Sequence, residues 1–140
     1  MTSKTAQWDQ RYQVGDTPWD SGIVERELVR FLKDERIPSG RAFEFGCGAG
    51  TNAVYLAQQG FDVVASDCSA TALDRGSKLS AAAGVRVNFI AADLCSLPDV
   101  RRALGPDATS FERSFSVLFD RGCFHCLRKV SLSQHCSALG

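Results

Sequence analysis

A buried strand that runs through closely spaced glycines straight into a helix limits the folds open to a chain more than any other feature found here. Arg41-Ala42-Phe43-Glu44-Phe45 reads as the strand, Gly46-Cys47-Gly48-Ala49-Gly50 as the turn, and the stretch from Thr51 to Gln59 as the helix, which Gly60 ends. The unit then repeats. A strand from Asp62 to Ser66 carries Asp67 at its tip, a helix follows from Ala70 to Ala83, and a strand from Val85 to Ile90 leads to Asp93. A helix from Leu97 to Leu104 precedes a strand from Phe115 to Phe119 that ends at Asp120. Strands alternating with helices at this spacing require right-handed crossovers and a parallel sheet covered on both faces. The expected fold class is α/β, Rossmann-like, in one domain over residues 1–140, with an N-terminal arm and helix over 1–39 and the sheet over 40–140.

The arm is aromatic and polar, with Trp8, Tyr12 and Trp19 around Gly15-Asp16-Thr17-Pro18, and these breakers argue against a long helix in residues 1–20. From Ser21 onward, Ile23, Val24, Leu28, Phe31 and Leu32 fall at helical spacing up to Ile37-Pro38-Ser39-Gly40.

Charge excludes some functions. Lysine plus arginine (16) balances aspartate plus glutamate (16), so no global field favours nucleic acid or anionic lipid as a partner. No apolar run approaches the roughly 20 residues of a membrane span, and none at the start has signal-peptide character, which points to a cytoplasmic protein without membrane attachment. In that compartment the six cysteines are expected as thiols. Cys123, His125, Cys126, His135 and Cys136 crowd together in a way that invites a zinc reading, yet they offer a single CxxC pair, so no metal is assigned.

Ligands of open parallel sheets bind beyond the carboxyl ends of the strands, which is where the unusual residues fall. Glycines at positions 46, 48 and 50 let backbone pass close to a ligand, although a plain tight turn would use them too. The dinucleotide fingerprint is Gly-x-Gly-x-x-Gly, whereas this turn is Gly-x-Gly-x-Gly with Glu44 two residues ahead, a spacing that favours S-adenosylmethionine over a nicotinamide dinucleotide. Glu44 is placed to orient the ammonium of such a cofactor. Asp67 is suited to accept from both ribose hydroxyls, and Asp93 from the adenine amine, with Leu94 giving a backbone donor and an apolar wall. Helix capping is the alternative for either aspartate alone.

Glu44-Phe45-Gly46-Cys47-Gly48-Ala49-Gly50-Thr51, Ala65-Ser66-Asp67 and Ala91-Ala92-Asp93-Leu94 together resemble the cofactor motifs of class I S-adenosylmethionine-dependent methyltransferases over residues 41–126. The arm from Trp8 to Asp20, and Phe119-Asp120-Arg121-Gly122-Cys123-Phe124-His125, resemble more narrowly the branch of thiopurine and tellurite-detoxifying methyltransferases. That resemblance implies a small-molecule methyl acceptor (a thiol, a thiopurine-like compound or an oxyanion) and an aromatic segment folded over the cofactor. Trp8 and Trp19 are its candidates to cover the sulfonium, with core packing as the alternative. Asp120 joins the cofactor side, while Arg121 and His125 are the active-site candidates. Methyl transfer is a direct displacement, so His125 serves as a mild base or as a polar wall.

The full class I sheet has seven strands, whereas only the first four are legible here. A C-terminally truncated chain is therefore expected, with little turnover of its own and with the fourth strand as an exposed edge open to self-association. A cofactor-binding regulatory remnant and a nicotinamide-dependent oxidoreductase are the competing functions.

Overall fold

The computed structural model describes residues 3–106 and 115–123. Two helices lead, α1 (Ser3–Val14) and α2 (Arg26–Asp34), followed by β1 (Arg41–Phe45), α3 (Thr51–Gln58), β2 (Asp62–Asp67), α4 (Ala70–Ala82), β3 (Asn88–Ala91), α5 (Leu97–Leu104) and β4 (Phe115–Asp120). The strands form one parallel sheet in the order β3-β2-β1-β4. The chain steps outward from β1 to β3 and then returns to the other side of β1. That reversal opens a crevice between β1 and β4 at the carboxyl ends of the strands, the position at which open α/β sheets take ligands.

Alternation along the strands divides the core. Ala42, Val63, Ala65 and Val117 point to one face, where they pack with Leu28 of α2, Ala53 and Leu56 of α3 and Leu73 of α4. Phe43, Val64 and Ile90 point to the other, against Ala103 and Leu104 of α5 and the Phe115 side chain. Both faces are covered, as a parallel sheet requires. Among the described residues β4 pairs with β1 alone, and its Leu118 is 66% exposed. No helix among the described residues is long and apolar enough to cross a membrane.

The structure corrects three expectations. Residues 1–20 do hold a helix, α1, of 12 residues. The breakers lie beyond its end: Gly15 takes a left-handed φ of 77° and stops the helix without preventing it. The second helix begins at Arg26 and not near Ser21, because Gly22 is left-handed and Glu25 is extended with its N–H donated to Asn52 Oδ1 at 2.8 Å. Strand β3 begins at Asn88 and not at Val85, because the Val85 N–H closes the end of α4 on the Ser80 carbonyl.

Candidate functional site

The turn after β1 can be made only by residues that tolerate left-handed backbone. Gly46 and Gly48 have φ of 61° and 55°; a Cβ on Gly46 would lie 2.5 Å from the Cys123 Cβ, and one on Gly48 would lie 2.6 Å from the Tyr12 hydroxyl. The turn is stitched to β2 by the Cys47 N–H on Ser66 O at 2.8 Å and closed on itself by the Gly50 N–H on Cys47 O at 3.0 Å. Gly50 precedes α3 and offers no side-chain cap, so the helix presents its first N–H groups and its positive dipole end toward the crevice.

Each strand tip carries an acid in a different environment. Glu44 is 2% exposed. Its carboxyl receives the Ala53 backbone N–H and the Asn52 side chain, yet burial, with the charges of Asp67 and Asp120, pushes it up to about 8. Its Oε2 has no hydrogen-bond partner among the described residues. Asp67 accepts the Gly48 N–H and the Ser69 N–H, both at 2.9 Å, and burial raises its carboxyl against the effect of those bonds. Asp93 accepts the Cys95 N–H at 2.9 Å. Neither aspartate is a helix cap: Ser69 caps α4 and Ser96 caps α5, their hydroxyls accepting from Ala72 and Asp99.

Over this floor lies an aromatic roof. Trp19 stands edge-on to Trp8 with centroids 5.4 Å apart and to Tyr12 at 5.9 Å, and its indole N–H donates to the Tyr12 hydroxyl at 2.9 Å. Arg11 lies over the Trp19 ring at 4.3 Å. Tyr12 is 3% exposed, and burial pushes its hydroxyl up to about 12. Three clips hold the roof down. Asp9 Oδ1 accepts the Ser69 hydroxyl at 2.8 Å and the Thr71 N–H at 2.9 Å, so a carboxylate from α1 serves the N-terminus of α4, and those bonds keep it below the usual range. Arg75 donates to the Tyr12 carbonyl at 2.5 Å. Arg121 donates to the Trp19 carbonyl at 3.1 Å and pairs with Glu25 at 2.7 Å.

Floor and roof enclose a cavity of about 780 Å³, the volume of a small-molecule site. Its walls include Trp8, Trp19, Glu44, Gly46, Gly48, Gly50, Asp67, Asp93, Leu94 and Arg121, so the chain fold unites sequence candidates spread over more than a hundred positions. Asp120 is the exception among those described: it is exposed, accepts the Cys123 N–H at 2.8 Å and does not line the cavity. His125, Cys126, His135 and Cys136 lie outside the described residues. Sequence reasoning did not single out Tyr12, Asn52 or Asp9 as site residues. Tyr12 had a signal, since it follows Trp8 by four positions and so shares its helix face. Cys47, Cys68 and Cys95 also line the cavity. Burial raises all three thiols, Cys68 to about 12, and the acids at the strand ends add to the shift.

The thiopurine S-methyltransferase (TPMT) family profile matches residues 3–129. The chain belongs to this family. Its parallel α/β sheet is accordingly that of a class I methyltransferase. "Probable thiol methyltransferase 2" of Arabidopsis thaliana is 35% identical over 71 residues, 51% of this chain and 31% of that protein. The 2-heptyl-1-hydroxyquinolin-4(1H)-one methyltransferase of Mycobacteroides abscessus is 25% identical over 111 residues, 79% of this chain and 44% of its own length. The structure solved under the description "Conversion of a Disulfide Bond into a Thioacetal Group during Echinomycin Biosynthesis" superposes with a TM-score of 0.74 at 28% identity, covering 97% of this chain and 54% of that one. This TPMT-family chain thus spans between a third and about half of the length of the relatives it matches. Family membership favours methyl transfer over the nicotinamide alternative.

Proposed function

We propose that the cavity binds S-adenosylmethionine and that the whole protein transfers its methyl group to a small-molecule acceptor such as a thiol, a thiopurine-like compound or an oxyanion. One observation carries the reading: the buried Glu44 Oε2 has no partner among the described residues, and Glu44 lies in the wall of a glycine-lined cavity. An amino acid end supplies what is missing. Its ammonium answers Glu44, and its carboxylate suits the N-terminus of α3. Asp67 accepts from backbone donors and has lone pairs left for ribose hydroxyls, while Asp93 and Leu94, in the same cavity lining, are the candidates for an adenine ring. When bound, the cofactor supplies a methyl carbon activated by positive sulfur. The chain's share is to hold that carbon in line with an acceptor and keep water away, for which the Trp8, Tyr12 and Trp19 roof is suited. Arg121, at the rim, is the candidate to face an anionic acceptor, and in this arrangement Glu25 occupies it.

The test is calorimetry with S-adenosylhomocysteine and with NAD. The first is expected to bind and the second not. Asp67→Ala is expected to weaken S-adenosylhomocysteine by about 1–3 kcal/mol, the scale of lost hydrogen bonds to a charged acceptor. Equal affinity for the two nucleotides, or an Asp67→Ala variant as tight as the parent, would sink these assignments.

A further inference from the structure

Glu44 sits in a setting whose formal charges repeat its own sign. Its side chain is buried and its Oε2 lacks a partner among the described residues, while Asp67 from β2, Asp120 from β4 and the Cys47 thiol are near enough to act on its charge and the neutral Asn52 bonds to it. Among the described residues, Arg121 and Lys4 are the cations that line the cavity; Arg121 is engaged by Glu25 and the Trp19 carbonyl, and Lys4 is not among the groups that act on Glu44. A carboxylate there would be buried, short of donors and repelled by its neighbours. The neutral acid escapes the repulsion and most of the burial cost.

We propose that Glu44 selects ligands by charge through its own proton: neutral while the cavity is empty, it ionises against the cationic end of an incoming ligand, so binding and proton release are one event. The inference rests on the S-adenosylmethionine reading and deepens it. In the step the Glu44 O–H bond breaks, the proton passes to solvent, and the carboxylate left behind pairs with the ammonium, whose charge replaces the one that departed. A ligand with the same nucleoside but no ammonium leaves the proton in place. A ligand with a phosphate at this point would set negative charge against Asp67 and Asp120, which separates this cavity from a dinucleotide site. Since burial and those acids hold the empty-site carboxyl near 8, it is mostly protonated at pH 7. Below that value affinity for a cationic ligand falls tenfold for each pH unit, one proton being exchanged.

The experiment compares S-adenosylhomocysteine with 5′-methylthioadenosine, which lacks the amino acid end, on the intact chain. Calorimetry at pH 6 and pH 7, in two buffers of different ionisation enthalpy, counts protons. Over this range the ligand's own amino group stays largely charged. S-adenosylhomocysteine is expected to release close to one proton and to bind about tenfold more weakly at pH 6 than at pH 7. Methylthioadenosine is expected to release none and to bind equally at both. In Glu44→Gln the proton release and the pH dependence of S-adenosylhomocysteine should vanish together. If that variant does not fold, the comparison of the two ligands on the native chain still decides. Binding of S-adenosylhomocysteine without proton release overturns this proposal and leaves the cofactor reading standing. Failure of both nucleosides to bind at millimolar concentration overturns both.

Discussion

The floor and the roof of the cavity are built on different principles. The floor is backbone: Ala42 and Phe43 behind it are 0% and 5% exposed, and its turn is held by main-chain bonds between β1 and β2. The roof is side chains reaching across space: Asp9 to α4, Arg75 to the Tyr12 carbonyl, Arg121 to the Trp19 carbonyl. Reshaping the floor means disturbing a buried sheet. Each clip of the roof, in contrast, is part-exposed and worth about a kcal/mol, so the roof can lift while the sheet stays folded. A site in which a rigid surface reads the ligand and a lightly held cover admits it needs this division.

The largest effect that would test the contrast comes from the floor. Glu44 holds its proton up to about pH 8 when folded, against an ordinary value of 4.5, so between those values the native state binds more protons than the unfolded one and stability falls as pH rises. Glu44→Gln removes that loss. It is expected to stabilise the empty chain by up to a few kcal/mol at pH 8 and by little at pH 5, read from urea unfolding at the two pH values. A gain of equal size at both would mean that Glu44 is not held neutral.

Next comes the point where floor meets roof. Gly48→Ala forces a side chain into left-handed backbone and against the Tyr12 hydroxyl, and is expected to cost about 1–3 kcal/mol and to shift tryptophan emission as Tyr12 leaves Trp19. Unchanged melting and emission would show that the turn yields to a side chain at position 48.

Within the roof, Asp9→Ala removes an acceptor from the N-terminus of α4 and is expected to cost about 1 kcal/mol. Hydrogen exchange should quicken across α1 and stay unchanged in β1 and β2. Equal loosening of the strands would erase the distinction between the two regions. The smallest effect is expected of Arg121→Ala, whose pair with Glu25 is 45% and 31% exposed and worth less than about 1 kcal/mol. Its readout is faster proteolysis between residues 15 and 25 in the empty protein; an unaltered cleavage pattern would detach Arg121 from the roof.

What could be read from the sequence follows the same division. The strand, glycine turn and helix from Arg41 to Gln58 were legible because left-handed backbone demands glycine locally and alternation marks a buried strand. Asp67 and Asp93 were legible as strand tips, though not their bonds to Gly48 and Cys95, which depend on how each loop closes. Helix α1 was missed because what secures it is distant: Asp9 meets its partners 60 and 62 positions along the chain. Gly76 was equally silent. Nothing in its neighbourhood marks it, yet a Cβ there would stand 2.8 Å from the Phe89 ring, so it fixes how closely α4 approaches the sheet.

The thiols around the cavity bear on a hazard specific to alkylating chemistry. If the cavity holds the proposed methyl donor, Cys47, Cys68 and Cys95 in its lining would be within reach of an electrophile. Thiolates attack and thiols scarcely do. Burial first, and then the nearby acids at the strand ends, raises all three thiols above their ordinary value. In a site holding such a donor, burial, helped by the acids at the strand tips, would keep these thiols from becoming acceptors.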